Sequence, residues 1–121
     1  MSDFRLGLVE GKFADLVWQN APITTKELVK LCAGELNWKR TTTYTVLRKM
    51  CERGLFRMED SLVTVQMSKE EFCSVQSENF VEHHFQGSLP AFLAAFTARK
   101  KLSDEELQQV REMIDSFGER K

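Results

Sequence analysis

The sequence lacks the features that would place it in a membrane or outside the cell. Its longest apolar stretch, Leu89 to Ala98, spans ten residues and is interrupted by Pro90 and Thr97. That stretch is too short to cross a bilayer and favours a packed helix instead. Met1 to Arg5 contain no basic region followed by an apolar one, as a secretory signal would. We therefore expect a cytoplasmic protein without a membrane partner.

Cysteine and histidine are scarce, and their spacing does not match a metal or catalytic site. The three cysteines are far apart, the two histidines are adjacent, and there is no glycine-rich loop. A zinc site or a disulfide framework needs close, paired cysteines, and a nucleophile needs a base within reach. We predict that the cysteines are small core thiols and that the histidines are partly exposed. We predict no catalytic residue, no metal and no cofactor. The cysteines are Cys32, Cys51 and Cys73, and the histidines are His83 and His84.

Charge is distributed unevenly along a chain of ordinary composition. The 121 residues are 42% hydrophobic and 29% charged, with a net charge of −1, which suits one compact domain or a small domain with an appendage. Residues 38–57 contain six basic side chains and one acidic one, or +5, whereas residues 68–121 contain seven basic and ten acidic ones, or −3. This asymmetry predicts an anion-contacting surface in the first half and a solvated or dimeric second half.

Hydrophobic spacing and capping signals predict three helices in the first half. The first runs from Leu8 to Asn20. The second follows a capping box formed by Thr24 and Glu27 and ends near Glu35, and residues 34–38 form the turn. The third runs from about residue 40 to residue 53 and ends at Gly54, which suits a left-handed cap.

The third helix is unusual because residues 41–46 are largely β-branched, a composition that alone would suit a strand. Its periodicity favours a helix. Thr43, Val46, Leu47 and Met50 share one side, and Thr42, Thr45, Lys49 and Glu52 share the other.

Two short β-like stretches and three more helices complete the pattern. Residues 55–58 and 62–66 form a hairpin, the wing. Helices then run from the Ser68 capping box to about Phe85, from after residue 88 to Arg99, and onward from a Ser103 capping box. The predicted fold is mostly α with a small β-hairpin: an N-terminal winged helix-turn-helix over residues 1–67, followed by C-terminal dimerisation helices over residues 68–121.

A winged helix-turn-helix places its third helix in the major groove of double-stranded DNA. Threonine suits that position because its methyl group meets thymine and its hydroxyl reaches a base edge or a phosphate. Free amides and basic side chains at the helix start suit a phosphate. The predicted DNA-binding residues are Lys39, Arg40, Thr41, Thr42, Tyr44, Thr45, Arg48 and Lys49.

The second half has more large apolar side chains than short helices in a monomer can bury. The last helix also carries apolar residues at spacings of 3, 4 and 3, as in a coiled coil. We expect a homodimer whose two-fold symmetry matches a palindromic operator. The predicted dimerisation residues are Phe80, Phe85, Leu89, Phe92, Phe96, Leu107, Val110, Ile114 and Phe117.

Taken together, these residues resemble the penicillinase repressors over nearly the whole chain. The shared elements are Glu10 through Val17-Trp18, Thr24-x-x-Glu27-Leu28, Trp38, Thr42, Thr45-x-Leu47, Arg53-Gly54-Leu55, Phe85-x-Gly87-Ser88-Leu89 and Leu102-Ser103-x-x-Glu106-Leu107. The resemblance implies a dimeric repressor that binds palindromes in promoters and is released by proteolysis, a metal or a partner. Family members cut by a sensor-linked protease are cleaved between an Asn and a Phe, and the matching pair here is Ala95-Phe96.

The chain departs from the family pattern at three places. Residues 61–68 lack the arginine, tyrosine and proline of the usual wing, so phosphate contacts by the wing are in question. Ala95 replaces the asparagine at the cleavage position, which puts proteolytic release in question. The chain ends Phe117-Gly118-Glu119-Arg120-Lys121, without the cysteine-rich tail of copper-responsive members, so we expect no copper sensing of that kind.

Two alternatives are weighed against a DNA-binding repressor. A winged helix used only for protein–protein contact would not need a charge complementary to phosphate, and the +5 segment at residues 38–57 argues against it. An enzyme would need a catalytic motif, and the sequence offers none.

Overall fold

A computed structural model describes residues 6–118; the last three residues of the tail, Glu119 to Lys121, lie outside them. Contacts divide the chain into two compact units between Asn79 and Phe80, and the predicted functional boundary after residue 67 stays a prediction. The fold is mostly α with one small sheet, as predicted. The elements are α1 (Leu8–Asn20), β1 (Ile23–Thr24), α2 (Thr25–Leu36), α3 (Arg40–Glu52), β2 (Phe56–Glu59), β3 (Leu62–Val65), α4 (Lys69–Phe85), α5 (Leu89–Arg99) and α6 (Asp104–Gly118).

The first two helices begin as their sequences predict. At α1, the Glu10 carboxylate accepts a hydrogen bond from the Gly7 amide at 3.1 Å. At α2, the Thr24 hydroxyl oxygen accepts from the Glu27 amide at 3.1 Å, and that hydroxyl donates to the Glu27 carboxylate at 3.0 Å. Both arrangements satisfy amides that a helix start leaves without partners.

The turn after α2 begins later than the sequence suggested. The helix continues through Gly34 to Leu36, and Asn37 ends it in a left-handed conformation with φ of 57°. Asparagine adopts this conformation more readily than most residues. The predicted turn at residues 34–38 therefore starts too early.

The β-branched segment is helical, as its periodicity indicated. Thr43, Leu47 and Met50 of α3 are buried in the core. Gly54 follows the helix with φ of +85°, which confirms the predicted glycine cap.

The predicted hairpin is present: β2 lies one residue later than predicted, and β3 begins at the predicted residue and ends one residue earlier. Strands β2 and β3 pair antiparallel around Asp60 and Ser61, whose positive φ values define a type I′ turn. Strand β1 was not predicted; it pairs with β3 on the other side and gives the order β1-β3-β2. Ile23 of β1 lies opposite Val63, and both are buried.

One hydrophobic core joins the helices of the first unit to the sheet. Trp18 links them at its edge: its indole nitrogen donates to the Met67 carbonyl at 2.9 Å, and its ring contacts Phe56 and Phe72. The buried hydrophobic residues are Phe13, Ala14, Val17, Ile23, Leu28, Cys32, Leu47, Met50, Leu55, Phe56, Val63 and Phe72.

In the second unit, α5 and α6 begin with side-chain caps, but neither helix has a buried side chain. Ser88 and Ser103 accept hydrogen bonds from the amides three residues later, at 3.1 Å in each case. The apolar segment from Leu89 to Ala98, for which the sequence predicts a packed helix, is helical, but Phe92 and Leu93 are only half-buried in the single chain and Phe96 is exposed. The described part of the chain contains no helix that is both long and apolar enough to span a membrane.

The cysteines differ more than predicted. Cys32 is buried, Cys51 is half-buried and Cys73 is exposed, so the prediction of three core thiols fails at Cys73. Position 73 directly follows Phe72, the one buried residue of α4, but its own side chain is exposed.

Candidate nucleic-acid interface

The outer face of α3 is a polar surface opposite the core. Thr42, Thr45 and Lys49 are exposed along it, as predicted, while Thr43 and Met50 lie on the buried side. Thr41 and Arg48 are exposed as well, and Tyr44 is half-buried. The helix therefore presents hydroxyl and basic groups outward, while its apolar side is held by the core.

The start of α3 is electropositive. Lys39 occupies the capping position without a side-chain cap, and the first turn has no acidic residue, so the positive end of the helix dipole is not neutralised locally. Within residues 6–118, no carboxylate lies at ion-pair distance from Lys39, Arg40 or Arg48. An unneutralised helix start beside basic side chains suits a phosphate.

Tyr44 anchors the basic end of α3. The Arg40 guanidinium lies over its ring, 5.5 Å from the centroid. Hydrogen bonding with Thr25, helped by Arg40, lowers the pKa of the Tyr44 hydroxyl. This arrangement orients Arg40 while leaving its charge available.

The exposed threonine at the centre of the face has an oriented hydroxyl. The Thr45 hydroxyl donates to the Thr41 carbonyl at 2.9 Å. Its remaining lone pairs and its methyl group are therefore the parts available to a ligand.

Lys49 differs from the other predicted contacts because it is already paired. Its ammonium lies 2.8 Å from Glu10 Oε2, and its side chain is 57% exposed against 24% for Glu10. Hydrogen bonding to Lys49, followed by that to the Gly7 amide, lowers the pKa of Glu10. This role of Glu10 was not predicted, because Glu10 and Lys49 are 39 residues apart and no local pattern links them.

The wing offers little positive charge. Arg57 is its only basic residue between Phe56 and Val65, and its guanidinium is 2.6 Å from the Glu59 carboxylate. Glu59 and Asp60 make the tip acidic, which opposes approach to a phosphate.

The predicted dimerisation residues all belong to the second unit. Six of them are 37 to 54% exposed in the single chain, namely Phe80, Leu89, Phe96, Leu107, Ile114 and Phe117, whereas Phe85, Phe92 and Val110 are half-buried. The rings of Phe80, Phe85, Phe92 and Phe96 contact one another, with centroids 5.7 to 6.1 Å apart. Exposed apolar side chains on neighbouring helices are typical of a surface that a partner covers.

The predicted cleavage pair, Ala95 and Phe96, is helical and exposed within α5. The next residue, Thr97, donates to the Leu93 carbonyl at 2.7 Å. As for metals, no three His, Cys, Asp or Glu side chains converge on a possible metal position within residues 6–118.

Comparison with known proteins identifies the family. The family model described as penicillinase repressor matches residues 6–116. The penicillinase repressor of Bacillus licheniformis is 21% identical over 110 residues, which are 88% of this chain and 86% of that protein. Since the family model covers nearly the whole sequence, this chain belongs to the penicillinase repressor family of transcriptional regulators.

Proposed function

We propose that this protein represses transcription by binding a palindromic operator in double-stranded DNA as a homodimer, with residues 1–67 binding DNA and residues 68–121 forming the dimer. The observation that carries the proposal is the exposed polar face of α3 with its capping residue Lys39. The basic side chains Lys39, Arg40 and Arg48 have no acidic partner in the described chain. A surface of this kind suits the negatively charged major groove.

In the proposed complex, the start of α3 and its exposed face contact different parts of the DNA. Lys39, Arg40 and Thr41 meet a phosphate at the start of the helix. Thr42 and Thr45 face base edges, and Tyr44 and Arg48 flank them. Because the Thr45 hydroxyl donates to the helix backbone, it accepts a hydrogen bond from a cytosine or adenine amino group, or its methyl group packs on thymine.

Wing contacts contribute little in this proposal. The one arginine of the wing is paired with Glu59, and the acidic tip repels phosphate. The proposed footprint is therefore concentrated on α3 and its start.

The dimer is proposed to form through the exposed apolar residues of the second unit. Burying them against a second copy removes from water a surface that the single chain leaves exposed. Two copies of α3 related by a two-fold axis would then meet two half-sites of a palindrome.

The first test is a selection of bound sequences from a random duplex library with the purified protein. Gel shifts on the enriched site then compare variants. Thr45→Ala should weaken specific binding by about 1–3 kcal/mol. Arg40→Ala should weaken binding to all duplexes and lower the salt slope by about 0.9.

Lys12→Ala is the matched control, since Lys12 lines a groove on α1 beside Phe72 and Cys73 and should not meet DNA. If no sequence is enriched and no duplex binds, the protein–protein module is the better description. If Thr42, Thr45 and Lys49 can each be replaced without effect on the enriched site, the assignment of α3 is wrong.

The family resemblance supplies a proposal for how the repressor is released from DNA. In this proposal, a sensor-linked protease cuts the chain between Ala95 and Phe96. The pair is accessible in the single chain but helical, so α5 would have to open locally before a protease could bind it in extended form. Cutting there would separate α6 from the DNA-binding unit and weaken two-site binding.

Immunoblots of cells exposed to a β-lactam test this route. A fragment that ends near residue 95 is expected, with more of it from Ala95→Asn, which restores the family's asparagine. An intact chain throughout induction would rule cleavage out.

A further inference from the structure

The carboxylate of Glu10 is fixed by two different partners. Its Oε1 accepts from the Gly7 amide at 3.1 Å, and its Oε2 lies 2.8 Å from the Lys49 ammonium. The first bond belongs to the helix start, so the backbone holds the carboxylate in place. Lys49 reaches it from α3 with a long and mostly exposed side chain. The carboxylate is therefore the fixed partner and the lysine the mobile one.

This pair changes the electrostatics of the proposed DNA surface along its length. At the start of α3, Lys39 and Arg40 have no acidic partner among residues 6–118, whereas Lys49, about two and a half turns later, is neutralised. A lysine held by a carboxylate releases no counterion when DNA approaches, because its charge is already compensated. To reach a phosphate, Lys49 would have to break its ion pair with Glu10. The Glu10 carboxylate would then lie unpaired near the negatively charged DNA.

We propose that Glu10 competes with DNA for the Lys49 ammonium and thereby lowers affinity for non-specific DNA. The proposal rests on the proposed DNA-binding function and assigns Glu10 a role in setting the affinity for DNA. Non-specific binding is almost wholly a matter of phosphate neutralisation, so the withdrawal of one cation weakens it, and a random-sequence duplex reports that effect without base contacts.

The experiment measures binding of the full chain to a random-sequence duplex by fluorescence anisotropy over a range of salt concentrations. Glu10→Gln keeps an oxygen that accepts from the Gly7 amide but cannot pair with Lys49. We expect it to steepen the salt slope by about 0.9, the value for one additional phosphate contact. At low salt it should tighten non-specific binding up to about fivefold, the range of an exposed ion pair.

Glu71→Gln is the matched control. Glu71 accepts from the Ser68 amide at the start of α4, as Glu10 does from Gly7 on α1, and the substitution removes the same charge without releasing a lysine. It should leave the slope unchanged. The double variant Glu10→Gln with Lys49→Ala should have the slope of Lys49→Ala alone, because the effect passes through Lys49.

Three results would overturn the proposal while leaving DNA binding established. The salt slope of Glu10→Gln could be unchanged, or it could be shallower than that of the unmodified protein. It could also be steeper and remain so in the double variant with Lys49→Ala. A shallower slope would mean that Glu10 positions Lys49 on DNA. Persistence would mean that Glu10 acts by repelling phosphate directly or through Arg53, whose charge also interacts with it. If the unmodified protein binds no duplex, the proposed function itself fails. Thermal unfolding of each variant ensures that the comparison is made between folded proteins.

Discussion

Two threonines of α3 donate their hydroxyls to the backbone of the helix itself. The Thr43 hydroxyl donates to the Lys39 carbonyl at 3.4 Å, and the Thr45 hydroxyl donates to the Thr41 carbonyl at 2.9 Å. Bonding of this kind satisfies a buried hydroxyl at position 43 and orients an exposed one at position 45. A composition that alone suits a strand is thus compatible with a helix.

At the same scale, the three thiols should differ in reactivity. Cys73 is exposed, whereas burial raises the pKa of both Cys32 and Cys51 and lowers the fraction of reactive thiolate. We expect one thiol to react with a disulfide reagent in the native protein at neutral pH, and the other two to react at comparable rates only after unfolding in urea.

Cys73→Ser is the control for this experiment and should abolish the fast phase. Fast reaction of a second thiol in that variant would contradict the burial of Cys32 or the partial burial of Cys51.

Among the elements, Trp18 connects α1 to the sheet and to the start of α4. Its indole nitrogen bonds the Met67 carbonyl just after β3, and its ring lies 5.6 Å from those of Phe56 and Phe72. Trp18→Phe keeps an aromatic ring but leaves that carbonyl without its donor. We expect a loss of about 1–3 kcal/mol in the free energy of unfolding, measured by urea titration with an unchanged m-value.

Trp38→Phe provides the comparison. Trp38 stacks on Phe13 with centroids 5.6 Å apart, a contact that phenylalanine largely retains. It should cost less than Trp18→Phe, and an equal or larger cost would mean that ring size rather than the hydrogen bond determines the effect.

Helix positions followed from the sequence better than strand positions did. The bounds of α1 and the capping boxes at Thr24, Ser68 and Ser103 agree with the structure because capping depends on residues three apart. Strand β1 was missed because a strand of two residues has no periodicity, and its pairing with β3 brings together residues about forty positions apart.

For the molecule as a whole, the exposed apolar residues of the second unit predict its assembly. Ile114 is 52% exposed on α6 in the single chain. In the proposed dimer, Ile114→Lys places a charge in the interface twice, once from each copy, because the interface is two-fold symmetric. Each buried charge should make dimer association less favourable by about 2 kcal/mol or more. Analytical ultracentrifugation of the Ile114→Lys variant at micromolar concentration should then find a monomer. The affinity of this variant for the operator should be lower as well.

Gln108→Lys adds the same charge on the other side of α6, where Gln108 bonds Glu112, and should remain dimeric. An unmodified protein that is monomeric at micromolar concentration yet has full operator affinity would contradict the dimer proposal.

The sequence by itself determined the order of the six helices and the hairpin, the buried side of α3 and the resemblance to the penicillinase repressors, since each depends on local spacing and on side-chain type. Only the tertiary structure decided that Cys73 is exposed, that β1 joins the sheet, and that Glu10 neutralises Lys49. These features depend on contacts between residues far apart in the chain. A local pattern indicates which side of a helix is polar, but the partner of a charged group on that side is set by the packing of the elements around it.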